Sequence, residues 1–134
     1  MAAKGLELNN PGNIRRTSTA WRGQDLDYHG PYCKFEAPEW GIRAIAKILM
    51  SYQKRGIRTI RGAISEWAPE ADGNPTESYI ANVAQWTGID PDTPTFLETL
   101  PIIKAIIRQE TGEEPYPDSM IELGITLANP QPET

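Results

Sequence analysis

The 134-residue chain has one cysteine, Cys33, and one histidine, His29. A single thiol excludes an intramolecular disulfide and a cysteine-based zinc site, and reads as a small, inert residue. A single histidine gives little support to a histidine metal cluster or a Ser-His-Asp site with a histidine to spare. Basic blocks are also missing. Thirteen Lys and Arg against 18 Asp and Glu leave a formal net charge of −5, which argues against non-specific nucleic-acid binding, because that depends on neutralising phosphates. No apolar run reaches membrane-spanning length, and the N-terminus lacks the charged-then-apolar layout of a signal peptide. The expectation is synthesis in the cytoplasm without membrane insertion, so that any action elsewhere needs another component to carry the protein there.

What is present suits one small domain. The length allows a single core without staples, and four tryptophans with five tyrosines add bulky burial or stacking surface. The expected division is a domain over residues 1–128 and a frayed tail over 129–134, "NPQPET". The first forty residues are turn-rich, with room for at most a short hairpin between Trp21 and Phe35.

From Trp40 the spacing becomes helical. Ile42, Ile45, Ile48, Leu49 and Tyr52 form one apolar face, and Gly56 is the expected stop. Thr59 is placed to cap a second helix carrying Ile60, Ile64 and Trp67. A third is expected from Pro75 to Trp86, with Tyr79, Ile80 and Val83 inward and Gly88 as its C-terminal cap. In "TFLETLPIIKAIIRQETG", Phe96, Leu100, Ile103 and Ile107 recur at intervals of four, three and four. Pro101 is awkward inside a helix, so the helix should begin or kink there. The fold class is mostly α.

The next step of that series is Glu110. A carboxylate on an apolar helix face is costly when charged and dry, which favours the protonated form and a role as proton donor. Glycosidic bond cleavage needs such a general acid. A last-turn glutamate beside Arg108 and Thr111 also fits a solvated helix end. "NNPGN" forms a second focus. Asn10-Pro11-Gly12-Asn13 reads as a β-turn, with proline presetting φ and glycine supplying a positive φ. Its asparagines exceed what a turn needs, and with Trp21 they offer amides and a ring face to a sugar. Glu36 and Glu39 suit a helix N-terminus, Asp25 and Asp27 sit in the turn-rich segment, and Glu66 looks like a rim residue.

Together, "NNPGNIR", "WRG", "GIRA", "WAP", "YI" and the terminal Glu110-Thr111-Gly112 resemble peptidoglycan-cleaving domains of the lysozyme superfamily, of the phage and prophage type. The likeness spans about residues 5 to 116. "RQETG" is similar to the Glu-Ser-Gly segment of lytic transglycosylases and glucosaminidases, and "TESYIANV" to the transglycosylase segment whose tyrosine lies beside the acetamido group. "NNPGNIR…WRG" is similar to a segment that normally follows the catalytic glutamate, so its position ahead of Glu110 implies circular permutation. The resemblance implies a lysozyme-like domain that cuts the β-1,4 bond between N-acetylmuramic acid and N-acetylglucosamine. Glu110 would be catalytic, and Asn10, Asn13, Arg15, Trp21 and Tyr79 would bind substrate. Glu39, Asp25 and Asp27 are the candidates for a second acid. No metal or cofactor is implied. The partners would be glycan strands and phage or secretion-machine proteins, with action in the virion or periplasm. The alternative is a non-catalytic virion or secretion-machine component built on the same residues.

Overall fold

The computed structural model describes residues 4–129. The chain is mostly helical, and its elements are α1 (Lys4–Glu7), α2 (Pro38–Lys54), α3 (Ile60–Trp67), a 3-10 turn (Glu70–Asp72), α4 (Thr76–Thr87), α5 (Leu100–Thr111) and α6 (Asp118–Ala128). Among the described residues extended pairing amounts to two isolated antiparallel bridges, Arg15 with Tyr32 and Gln24 with Phe35. The expected hairpin is therefore reduced to single pairings, because glycines, prolines and turns interrupt each run before a ladder can extend.

The local signals hold at most helix ends. Pro38 occupies the first turn of α2, and Gly56 follows its end at φ 87°. Thr59 accepts the amide of Gly62 at 3.1 Å, capping α3. Gly88 and Gly112 close α4 and α5 in the left-handed conformation, which glycine adopts without steric cost. α5 opens with Leu100 and Pro101, so the proline sits where its missing N–H has no helical partner to lose.

Two departures concern packing. Phe96 precedes α5 and is 72% exposed, whereas Leu97 is fully buried. The helix starts after Phe96, so the four-residue step from it to Leu100 is not helical. The second departure is α6, which lies beyond the helices read from periodicity. It packs chiefly along α2, where Gly124 lets its backbone lie directly on Ile42 and the Arg43 amide. Arg43 Nε also donates to the Leu127 carbonyl at 3.2 Å. The residue that looks like a helix breaker thus permits a close helix–helix contact. Asn129 caps α6, and residues 130–134 of the expected tail lie outside the described residues.

The core runs through α2 to α6 as Ile42, Ile45, Leu49, Ile64, Ile80, Val83, Ile103, Ile106 and Ile107. A smaller cluster of Cys33, Phe35 and Ala44 ties the N-terminal segment to α2, with Trp21 and Trp40 against it. Cys33 is buried and free, and burial pushes its thiol pKa upward, consistent with an inert role.

Candidate functional site

The "NNPGN" segment is a turn, closed by the Asn13 amide donating to the Asn10 carbonyl at 3.1 Å. Its conformation differs from the expected one. The left-handed residues are Asn9 (φ 54°) and Asn13 (φ 50°), not Gly12. Asparagine tolerates this region better than other side chains with a Cβ. Gly12 is needed for space, since a Cβ there would lie 2.8 Å from Ile45 Cγ1 and 3.1 Å from Trp67 Cη2.

The asparagines divide their work. Asn9 Nδ2 donates to the Phe35 carbonyl at 3.0 Å. Asn10 is fully buried. Its amide donates to the Ile14 and Cys33 carbonyls at 2.9 Å each, and its oxygen accepts the Ile14 amide at 3.0 Å. Asn10 is therefore an internal brace and not a substrate contact: the surplus amides of the turn satisfy backbone groups that a strand ladder would otherwise pair.

Asn13 points elsewhere. Its Nδ2 donates to Glu110 Oε1 at 2.9 Å and to the Glu110 carbonyl at 3.3 Å, across 97 residues of sequence. The second bond satisfies a carbonyl in the last turn of α5. Two more donors reach the carboxylate. Tyr79 OH donates to Oε2 at 2.9 Å and Trp67 Nε1 donates to Oε2 at 3.2 Å. Glu110 is thus fixed by three side chains from the N-terminal turn, α3 and α4. Its surroundings are a polar socket in an apolar frame. Oε1 carries one of these side-chain bonds, so the carboxyl keeps acceptor capacity for a proton or a ligand.

Glu110 opens onto a cleft of about 780 Å³. Gly12, Asn13, Arg15, Trp21 and Tyr32 come to it from the N-terminal segment, Ile48 and Tyr52 from α2, and Trp67, Asp72 and Asn74 from α3 and the turn after it. The last segment is stitched down by Thr76 Oγ1 donating to the Ala68 carbonyl and by Asn74 Nδ2 donating to the Pro69 carbonyl at 3.1 Å. Asn13, Arg15 and Trp21 line one cleft with Glu110.

Tyr79 does not. It is 3% exposed and lies behind Glu110, outside the cleft lining. Burial, then the neighbouring Glu110 charge and their hydrogen bond, push its phenol well above the ordinary value, so it stays a neutral donor. Its role is to position Glu110. The expected second acids are also misplaced, since none of the three lines the cleft. Asp25 accepts the Asp27 amide at 3.0 Å and pairs with Lys34 at 3.9 Å, Asp27 is exposed, and Glu39 occupies the first turn of α2. Each answers to local turn or helix-end electrostatics. Glu66 pairs with Arg55 at 3.4 Å on the surface.

Tyr52 and Trp67 read from their spacing as packing residues, and Tyr32, Asp72 and Asn74 carry no sequence signal that places them in a cleft. Trp67 had one signal available, a large amphipathic ring at the end of a short helix, where its N–H needs a partner. Among the described residues no cluster of His, Cys, Asp and Glu could hold a metal ion, and no helix is long and apolar enough to cross a membrane.

Fold and site together define a mostly α-helical domain whose cleft presents one carboxylate held by three converging donors. The chain is 43% identical to Protein P5 of Pseudoalteromonas phage PM2 over 129 residues, covering 92% of this chain and 80% of that protein. The chain belongs to the family of that bacteriophage protein. No protein-family model matches it.

Proposed function

We propose that this protein cleaves peptidoglycan glycan strands at the β-1,4 bond between N-acetylmuramic acid and N-acetylglucosamine, through a lysozyme-like site with Glu110 as general acid. The observation that carries this reading is the bond from Asn13 to Glu110 in one cleft, which joins the two sequence segments that resemble lysozyme-superfamily motifs. Protonated Glu110 gives its proton to the glycosidic oxygen as the C1–O bond breaks through an oxocarbenium-like state. Trp67 and Tyr79 hold the carboxyl in one rotamer, and Trp21 offers a ring face to a sugar. Action in the virion or periplasm accords with a phage relative.

Two completions follow. Glu110, now ionised, takes the proton of the muramyl 6-hydroxyl as that oxygen closes on C1, giving a 1,6-anhydro product and regenerating the acid. Alternatively a base activates water. Asp72, the other carboxylate lining the cleft among the described residues, is then the candidate in place of Glu39, Asp25 and Asp27. Dye release from purified peptidoglycan by wild type and by Glu110→Gln tests the reading. Activity in wild type and its loss in the variant is expected, and equal activity in both removes Glu110 from the mechanism. Mass spectrometry of the released fragments separates the two completions, since the anhydro product is lighter by one water.

A second reading is a non-catalytic phage structural component that binds glycan or a protein partner. The engagement of Glu110 by three neighbouring donors favours it. No release by wild type, together with retained glycan binding, selects it.

A further inference from the structure

Among the described residues lining the cleft, Asp72 and Glu110 are acids, and Arg15 is the one cation. Glu110 already has its three donors, and Arg15 makes no ion pair among the described residues. Three arginines elsewhere on the surface do pair, Arg61 with Glu77 and Asp92, Arg55 with Glu66 and Arg108 with Glu114, whereas Arg16, Arg22, Arg43 and Arg58, like Arg15, have no ion pair among the described residues. Arg15 is instead held by its neighbour. Its guanidinium lies 4.9 Å from the centre of the Tyr32 ring, and the Arg15–Tyr32 bridge fixes the two backbones against each other. Stacking leaves the edge of the guanidinium, with its fork of donors, free to meet a carboxylate.

We propose that Arg15, stacked on Tyr32, reads a carboxylate carried by the glycan strand, so that the cleft selects muramyl-containing strands over neutral polymers of N-acetylglucosamine. This rests on the glycan reading of the cleft but not on cleavage. Asp72 repels the same anion, so the charged substituent goes to the Arg15 end and sets the register of the strand. The carboxylate belongs either to the lactyl ether of the muramyl residue or to the peptide stem attached to it. Both present the same chemistry to a guanidinium.

The test is equilibrium binding followed by the fluorescence of Trp21 and Trp67, which line the cleft. Three tetrasaccharides serve as probes: neutral chitotetraose, a peptide-free muramyl tetrasaccharide with free lactyl carboxylates, and the same strand bearing peptide stems. Wild type should bind at least one charged strand about two- to fivefold more tightly than chitotetraose, the upper range of an exposed ion pair. The preference should shrink with added salt. Preference for the peptide-free strand assigns the lactyl carboxylate, and preference for the stem-bearing strand alone assigns the stem. Arg15→Gln should bind all three alike, and Arg15→Lys should keep part of the preference. Equal affinities in wild type, or a preference that survives Arg15→Gln, overturn the proposal and leave the glycan reading standing. Failure of wild type to bind any of the three overturns both.

Discussion

Tyr79→Phe isolates the hydrogen bond that holds Glu110 from behind while leaving the aromatic ring in the core. The phenol is 3% exposed and donates to Oε2 at 2.9 Å. A bond of this kind to a charged acceptor contributes about 1.5–3 kcal/mol, against about 1 kcal/mol for a neutral one. Trp67 still serves Oε2 in the variant, so the carboxylate is not stripped and the lower half of that range applies, about 2 kcal/mol. For a domain of this size that lowers the unfolding midpoint by roughly 8 °C. In a Glu110→Gln background the acceptor is neutral, and the same phenol deletion should cost about 1 kcal/mol. A double-mutant cycle by urea unfolding should therefore give a coupling of about 1 kcal/mol. Tyr52→Phe is the control, because its hydroxyl has no hydrogen-bond partner among the described residues. Strict additivity within ~0.3 kcal/mol, or an equal loss in the Tyr52 control, would refute the view that Tyr79 acts on stability through Glu110.

Three further outcomes follow from the same geometry. Asn10→Ala removes a buried amide making three backbone hydrogen bonds and should cost about 3 kcal/mol, read as loss of cooperative unfolding or a large fall in midpoint, with Asn9→Ala milder. Gly12→Ala forces a methyl against Ile45 and Trp67 and should cost about 1–3 kcal/mol; because Trp67 donates to Glu110, its fluorescence maximum should shift as well. Alkaline stability should fall. Burial pushes Tyr52 up to about 12 and Tyr79 well above 10. Above pH ~10 the unfolded chain loses phenolic protons that the folded chain keeps, so stability present below that pH declines as pH rises, by up to about 1.4 kcal/mol per pH unit for each such tyrosine. Urea midpoints between pH 8 and 11 measure this, and Tyr52→Phe should flatten the slope.

The legible part of this protein is the part governed by neighbours in sequence. Apolar spacing located α2 to α5, and Thr59, Gly56, Gly88, Pro101 and Gly112 marked their ends, because caps and stops act within one turn. The same periodicity singled out Glu110, a carboxylate arriving where an aliphatic side chain was due. α6 was opaque because Gly124 is unfavourable in an isolated helix and favourable only once Ile42 lies against it. Phe96 was misread because hydrophobicity alone does not say on which side of a helix start a residue falls.

For the site, sequence determined which chemistry was available: one carboxylate out of pattern, a turn rich in amides, and aromatic rings with polar edges. Tertiary structure decided who uses them. The three asparagines are chemically identical, yet Asn10 is spent on Ile14 and Cys33 while Asn13, three residues on, reaches Glu110 across 97 residues of chain. Tyr79 and Trp67 became donors to that carboxylate, and Asp72 and Arg15 became its companions in the cleft, through the packing of the N-terminal turn and α3 to α5. Hydrogen bonds act within about 3 Å, and only the folded chain brings groups so remote in sequence within that distance.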